Sequence, residues 1–177
     1  MGGRGVETGD RTAAVRTRLL GPDDWRELRA VRLEALRESP WAFGSTYARE
    51  SAFTEADWRR RLSAGGATFL AYRDDDPATA VGISGGFFEE STPDTAELVS
   101  MWVRPEARGS GVADALVRAV LDWAVARGAA RVHLWVTATN ERARRFYERL
   151  GFVPTDERQP LPSDPTLDEI GMVRPLS

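Results

Sequence analysis

The stretch VRPEARGSGVA, residues 103–113, decides the architecture. An apolar run, AELVSMWV at 96–103, stops at Pro105, and after a short loop Gly109 and Gly111 stand where a helix begins. Glycines at such a turn let the backbone approach a ligand, while the free amides of the first helical turn present the positive end of the dipole. A turn of this kind holds phosphate without lysine, and Arg108 at its lip could add a charged fork. Taken alone, R-G-x-G reads equally as a tight strand-to-helix connection with glycine there for geometry. A dinucleotide-binding turn of the Rossmann type is excluded, because Gly109-x-Gly111 lacks the third glycine at the required spacing.

Working outward, Val112–Arg127 carries an apolar stripe (Val112, Leu116, Val120, Trp123) closed by Gly128, which predicts a helix. RVHLWV at 131–136 is apolar on both faces, as a strand inside a sheet is. Asn140–Leu150 predicts a second amphipathic helix, and Phe152-Val153 resumes a strand. Residues 154–165 read as a Pro-rich loop before a short last strand at Glu169–Val173. Upstream, Val15–Leu20 is a strand, Pro22 to Ser39 a helix, and Thr54 the cap of another helix that Gly65-Gly66 stops. Thr68–Arg73, Thr79–Phe88 and Ala96–Val103 form an antiparallel meander. The expected class is α/β, a mixed, mostly antiparallel sheet flanked by helices that ends as β-α-β-α-β. Residues 14–177 read as one domain and residues 1–13 as a disordered tail without the apolar stretch of a signal peptide.

Composition narrows the chemistry. The 177 residues hold no Cys, one His (His133) and no Lys, all 24 basic residues being Arg. Thiol nucleophiles, disulfides, Schiff-base lysines and the lysine-bearing phosphate loop are excluded, as is a zinc held by several His. Carboxylates, Tyr, Ser/Thr, Arg and main-chain amides remain. The net charge of −3 does not suggest a nucleic-acid binder, and no apolar run reaches the ~20 residues of a membrane span, so a cytoplasmic protein is expected. The charge is uneven: residues 74–100 carry seven acids and no Arg, whereas 101–151 carry nine Arg against five acids.

The second motif, NERARRFYERLGF at 140–152, follows the buried strand. Asn140 and Tyr147 are seven apart, two helical turns, and so share a face. Alone, Asn140 is a helix cap and Tyr147 a half-buried core aromatic. Together, Arg108-x-x-Gly111-x-Ala113 and N-x-x-x-x-x-F-Y-x-x-x-G-F resemble the GNAT superfamily of acyl-coenzyme-A-dependent N-acetyltransferases, specifically over residues 96–153 and in element order over about 160 residues. Ala113 departs from the family's glycine without disturbing the pattern.

The resemblance implies acetyl-coenzyme A (acetyl-CoA) as co-substrate, an amine acceptor and no metal, with no nucleic-acid or membrane partner and with room for a homodimer. Its pyrophosphate would lie on the amides of Arg108, Gly109, Ser110, Gly111, Val112 and Ala113, and its pantetheine arm along Met101 and Val103, near Asn140. Tyr147 would lie at the thioester sulfur as general acid, its ordinary pKa near ~10 being close to a thiol's. Glu97 is the candidate base, working through a water, or else a solvated strand carboxylate; Glu89 and Glu90 are weaker alternatives. His133 reads as a core histidine rather than a base. Arg142, Arg144, Arg145 and Arg149 either face the coenzyme's 3′-phosphate or form a solvated helix face. The acceptor would sit among Trp41–Phe53 and Thr155–Thr166, with Trp41, Phe43, Tyr47 and Phe53 as aromatic walls or as helix packing, and the acidic block 74–100 would favour a cationic amine. The implied reaction is direct attack of a primary amine on the thioester. The competing implication is an acyl-coenzyme-A-binding module without turnover. In a chain without lysine, self-acetylation is restricted to the N-terminal amine.

Overall fold

A computed structural model describes residues 13–177; the expected tail lies, but for Ala13, outside them. Strand β1 (Val15–Leu19) leads through a 3-10 turn at Pro22–Asp24 into helix α1 (Trp25–Glu38). Helices α2 (Tyr47–Ser51) and α3 (Glu55–Ser63) follow, the first inside a stretch with no readable period. Thr54 caps α3 as expected: its hydroxyl accepts from the Asp57 amide while the Asp57 carboxylate accepts from the Thr54 N–H. Strands β2 (Ala67–Arg73), β3 (Asp76–Phe88) and β4 (Thr95–Val103) precede helix α4 (Val112–Ala126). Strand β5 (Arg131–Thr137), helix α5 (Glu141–Arg149) and strands β6 (Val153–Leu161) and β7 (Asp164–Pro175) complete the chain.

The seven strands make one sheet in the order β1-β2-β3-β4-β5-β7-β6. Every pairing is antiparallel except β4 with β5, so the expected class holds. Two expectations about the C-terminal part need correction. The Pro-rich segment 154–165 is not a loop: its residues form β6, a turn and the start of β7. Proline signals a loop in a central strand, but β6 is an edge strand, where a missing N–H costs little. The last strand, expected as a short one at Glu169–Val173, runs over Asp164–Pro175 and inserts between β5 and β6, antiparallel to both.

Apolar side chains cover both faces of the sheet. Leu28 and Leu36 of α1 and Trp58 of α3 cluster with Leu70 and Ile83 of the sheet, while Val117 and Val120 of α4 cluster with Val132, Leu134 and Met172. Helix α4 lies unusually close to β3 because that strand presents glycines to it. A Cβ on Gly86 would stand 2.7 Å from the Trp123 ring, and one on Gly82 would stand 2.8 Å from Leu116 Cδ1.

Candidate active site

Strands β4 and β5 are paired only at Thr95–Arg131, Ala96–Val132 and Glu97–His133, and beyond those residues they diverge. The cause lies in β4. Its register with β3 slips between Ile83 and Gly85, and Ser100 opposite that slip has φ = 60°, the one non-glycine residue in the left-handed region among the described residues. A bulge of this kind bends and twists its strand, here away from β5. The result is a V-shaped opening in mid-sheet. The Arg104 N–H donates to Val81 O on β3 at 2.8 Å, so by strand alternation the amides of Val103 and Met101 face the opening.

Below the wide end of the V lies the glycine turn. Gly109 and Gly111 have φ of 77° and 85°, conformations that an L side chain enters at a cost, and no atom lies within 4 Å of where their Cβ atoms would be. Gly111 is the N-cap of α4, whose first-turn amides have no intrahelical acceptor. Arg108 does not extend from the lip as the sequence suggested. Its Nε donates to Val103 O at 2.9 Å and its guanidinium bridges to Glu38 at the end of α1 at 2.8 Å, so its contribution to the turn is its backbone.

Helix α5 flanks the opening. Asn140 caps it, its Oδ1 accepting from the Ala143 amide at 3.1 Å, which leaves the side-chain NH2 available. Tyr147 is buried between Phe146 and Phe152, with ring centroids 5.2 and 5.7 Å away. Burial pushes its pKa well above the ordinary tyrosine range and so away from the match with a thiol that the unperturbed value suggested. Among the four arginines of α5, Arg142 is exposed, Arg145 lies 3.6 Å from Glu141, and Arg149 lies 3.6 Å from Asp114 in the first turn of α4.

On the opposite face of the sheet the V opens into a chamber of about 1170 Å³ bounded by α1–α3 and the ends of β5, β6 and β7. Phe43 and Phe53 line it as expected; Trp41 and Tyr47 do not, the Tyr47 hydroxyl accepting instead from Arg37 at 2.6 Å. The acidic block contributes Gly85–Phe88 and Leu98–Ser100 to the wall but none of its carboxylates. Glu97 is likewise off the wall. Its carboxylate lies 2.8 Å from His133 Nδ1, and the other ring nitrogen lies 2.8 Å from Glu157 on β6. Burial alone would lower the His133 pKa; the two carboxylates outweigh it and raise it. The core reading of His133 therefore needs refinement, since the ring bridges the Glu97 and Glu157 carboxylates at the narrow end of the V.

The sequence did not point to the charged wall of the chamber. Arg32 is 4% exposed and Glu50 2%; they form a two-pronged pair with both N–O distances 2.9 Å, and Arg61 reaches the same carboxylate at 3.1 Å. Arg32 also donates to Ser100 Oγ at 3.1 Å, which ties α1 to the bulge. Burial acts to raise the Glu50 pKa, but Arg32 and then Arg61 hold it below the usual carboxylate range. One signal was readable: Arg32 sits midway between Leu28 and Leu36 on the apolar stripe of α1, where a charge has to be paired. Glu169 on β7, 8% exposed, also lines the chamber, a placement that its strand pattern does not reveal.

The comparisons agree with this geometry. The profile of the Acetyltransferase (GNAT) family matches residues 30–152, more than half of the chain, and the chain belongs to that family. A mycothiol acetyltransferase of Rhodococcus erythropolis is 31% identical over 135 residues, covering 75% of this chain and 44% of the relative. The chain spans less than half the length of the curated relatives it matches. Among solved structures, a GNAT acetyltransferase of Streptococcus pneumoniae superposes with a TM-score of 0.73 at 20% identity, covering 92% of this chain and all of the other. Spermidine N-acetyltransferase from Vibrio cholerae, in complex with CoA and spermine, gives 0.69 at 16% identity, covering 90% and 94%. These likenesses bear on the fold.

Proposed function

We propose that the protein transfers an acetyl group from acetyl-coenzyme A to a primary amine by direct attack. One observation carries this reading: the V between β4 and β5 joins a phosphate-sized glycine turn on one side of the sheet to an acceptor-sized chamber on the other. The residues present suit the coenzyme. Open space beside Gly109 and Gly111, the first-turn amides of α4 and the outward N–H groups of Met101 and Val103 form one track of donors, with the Asn140 side-chain NH2 beside it. When bound, acetyl-coenzyme A supplies the activated acetyl thioester.

The chain has three tasks. The Val103 N–H, aimed into the V, polarises the carbonyl oxygen. Tyr147, whose hydroxyl is protonated at neutral pH, donates to the departing sulfur. Glu97, set back from the chamber and oriented by His133, takes the amine's proton through solvent. The test is amine-dependent release of free thiol from acetyl-coenzyme A, wild type against Tyr147→Phe. Release that falls steeply in the variant is the expected result; wild-type protein that binds the coenzyme yet releases no thiol across a broad amine panel refutes transfer and leaves a binding module.

A further inference from the structure

Among the described residues three carboxylates line the chamber, and two of them are neutralised. Glu50 holds Arg32 and Arg61, and Asp57 holds Arg60 at 3.1 Å. Glu169 differs. It is nine-tenths buried, yet among the described residues its side chain has one hydrogen bond, from Gln159 Nε2 to its Oε2 at 2.9 Å, and no ion pair. In a chain so rich in arginine, a buried carboxylate without a cation departs from the rule that buried charges are paired. Burial pushes its pKa up, the Gln159 amide holding back part of the rise.

Its position suits a cationic ligand. Glu169 pairs in register with Thr137 at the end of β5, and two residues further on Gly171 pairs with Trp135, so Glu169 and Trp135 share the chamber face. Across the V on that face stands Ser100, tied to Arg32. Phe43, Phe53, Phe87 and Trp135 supply apolar surface between these poles, while the lining arginines Arg49, Arg60 and Arg61 belong to α2 and α3, on other elements than the strands that carry Glu169 and Trp135.

We propose that Glu169 determines acceptor specificity, its carboxylate binding the ammonium of a primary amine carried on an apolar body. The proposal rests on the transferase reading for the amine's fate, though not for its binding. A primary amine reaches the chamber as its ammonium at neutral pH, and a charged hydrogen bond to Glu169 replaces the solvation both groups lose. Anchored there, beside the V, the nitrogen sheds one proton before attack. Glu169 acts as an anchor, and Glu97 keeps the part given it above.

The test compares 2-phenylethylamine with 2-phenylethanol, which differ at the end group, by calorimetric titration of the full chain in the presence of coenzyme A. Wild-type protein is expected to bind the amine at least tenfold more tightly than the alcohol. Glu169→Gln, nearly isosteric, should weaken the amine by about 10- to 100-fold while leaving the alcohol and coenzyme A unaffected. Gln159→Met removes the donor from Glu169 but keeps the charge, and it should retain the preference for the amine. Equal affinities for the two probes in wild type, binding of neither, an amine-to-alcohol ratio unchanged by Glu169→Gln, or a preference lost equally in both variants each overturn the proposal. Thiol release measured in parallel separates the readings. Glu169-dependent amine binding without thiol release sinks the transferase and spares the anchor, whereas thiol release with an amine KM unchanged in Glu169→Gln does the reverse.

Discussion

Replacing Glu50 with Leu should be the most damaging single change in the chamber wall. The substitution deletes three charged contacts, two from Arg32 at 2.9 Å and one from Arg61 at 3.1 Å. At about 1.5–3 kcal/mol each, their simple sum overstates the loss. Arg61 is about one-third exposed and can turn its charge toward water, and Arg32 keeps Ser100 Oγ and the face of Phe43, 4.7 Å away. What remains is the cost of one buried guanidinium left without its anion, about 3–5 kcal/mol. For a chain of 177 residues, at about 2–4 °C per kcal/mol, that predicts a melting temperature lower by roughly 6–20 °C. Differential scanning calorimetry with matching urea titrations measures it. The double variant Arg32→Met/Glu50→Leu should recover most of the loss, because no charge is then stranded. A loss below about 1 kcal/mol in the single variant, or a double variant as unstable as the sum of the singles, would refute this reasoning.

Three further outcomes are expected. Tyr147→Phe should lower kcat by about 10²–10⁴-fold while leaving coenzyme A affinity and melting temperature nearly unchanged, since the hydroxyl has no hydrogen-bond partner among the described residues. Gly111→Ala should cost about 1–2 kcal/mol of stability through its φ of 85° alone, and weaken coenzyme A binding because the new methyl enters the open space; retained affinity in a folded variant would contradict the turn's assignment. The pKa of His133 is raised in the folded protein, so its stabilising contribution is complete below about pH 6.5 and fades as pH rises through the folded value. Urea unfolding from pH 5.5 to 9 should show that decline, and His133→Gln should flatten it.

What the sequence made legible was local. The turn at Gly109–Gly111 and the cap at Asn140 are short-range backbone requirements, and the helices announce themselves by period. Arg108 illustrates where this stops, since its guanidinium is claimed by Glu38, seventy residues earlier, through packing of α1 against the end of β4. The pair Arg32–Glu50 depends likewise on how α1 meets α2, and the isolation of Glu169 emerges only once the destinations of its neighbouring arginines are known. Pro154 and Pro160 misled for a different reason: their cost depends on whether a strand is central or at an edge, which is a property of the assembled sheet.

That edge has a consequence for how molecules meet. A bare outer strand is a template on which another chain can add its own strand and so begin a growing ribbon. On β6, Pro154 and Pro160 have no N–H to offer a newcomer, the pairing is broken between Pro154 and Arg158, and Asp156 and Arg158 stand exposed between the prolines. The β6 rim of the sheet thus resists further strand addition, which leaves β1, a proline-free strand at the opposite edge, as the rim where a neighbour's strand could pair.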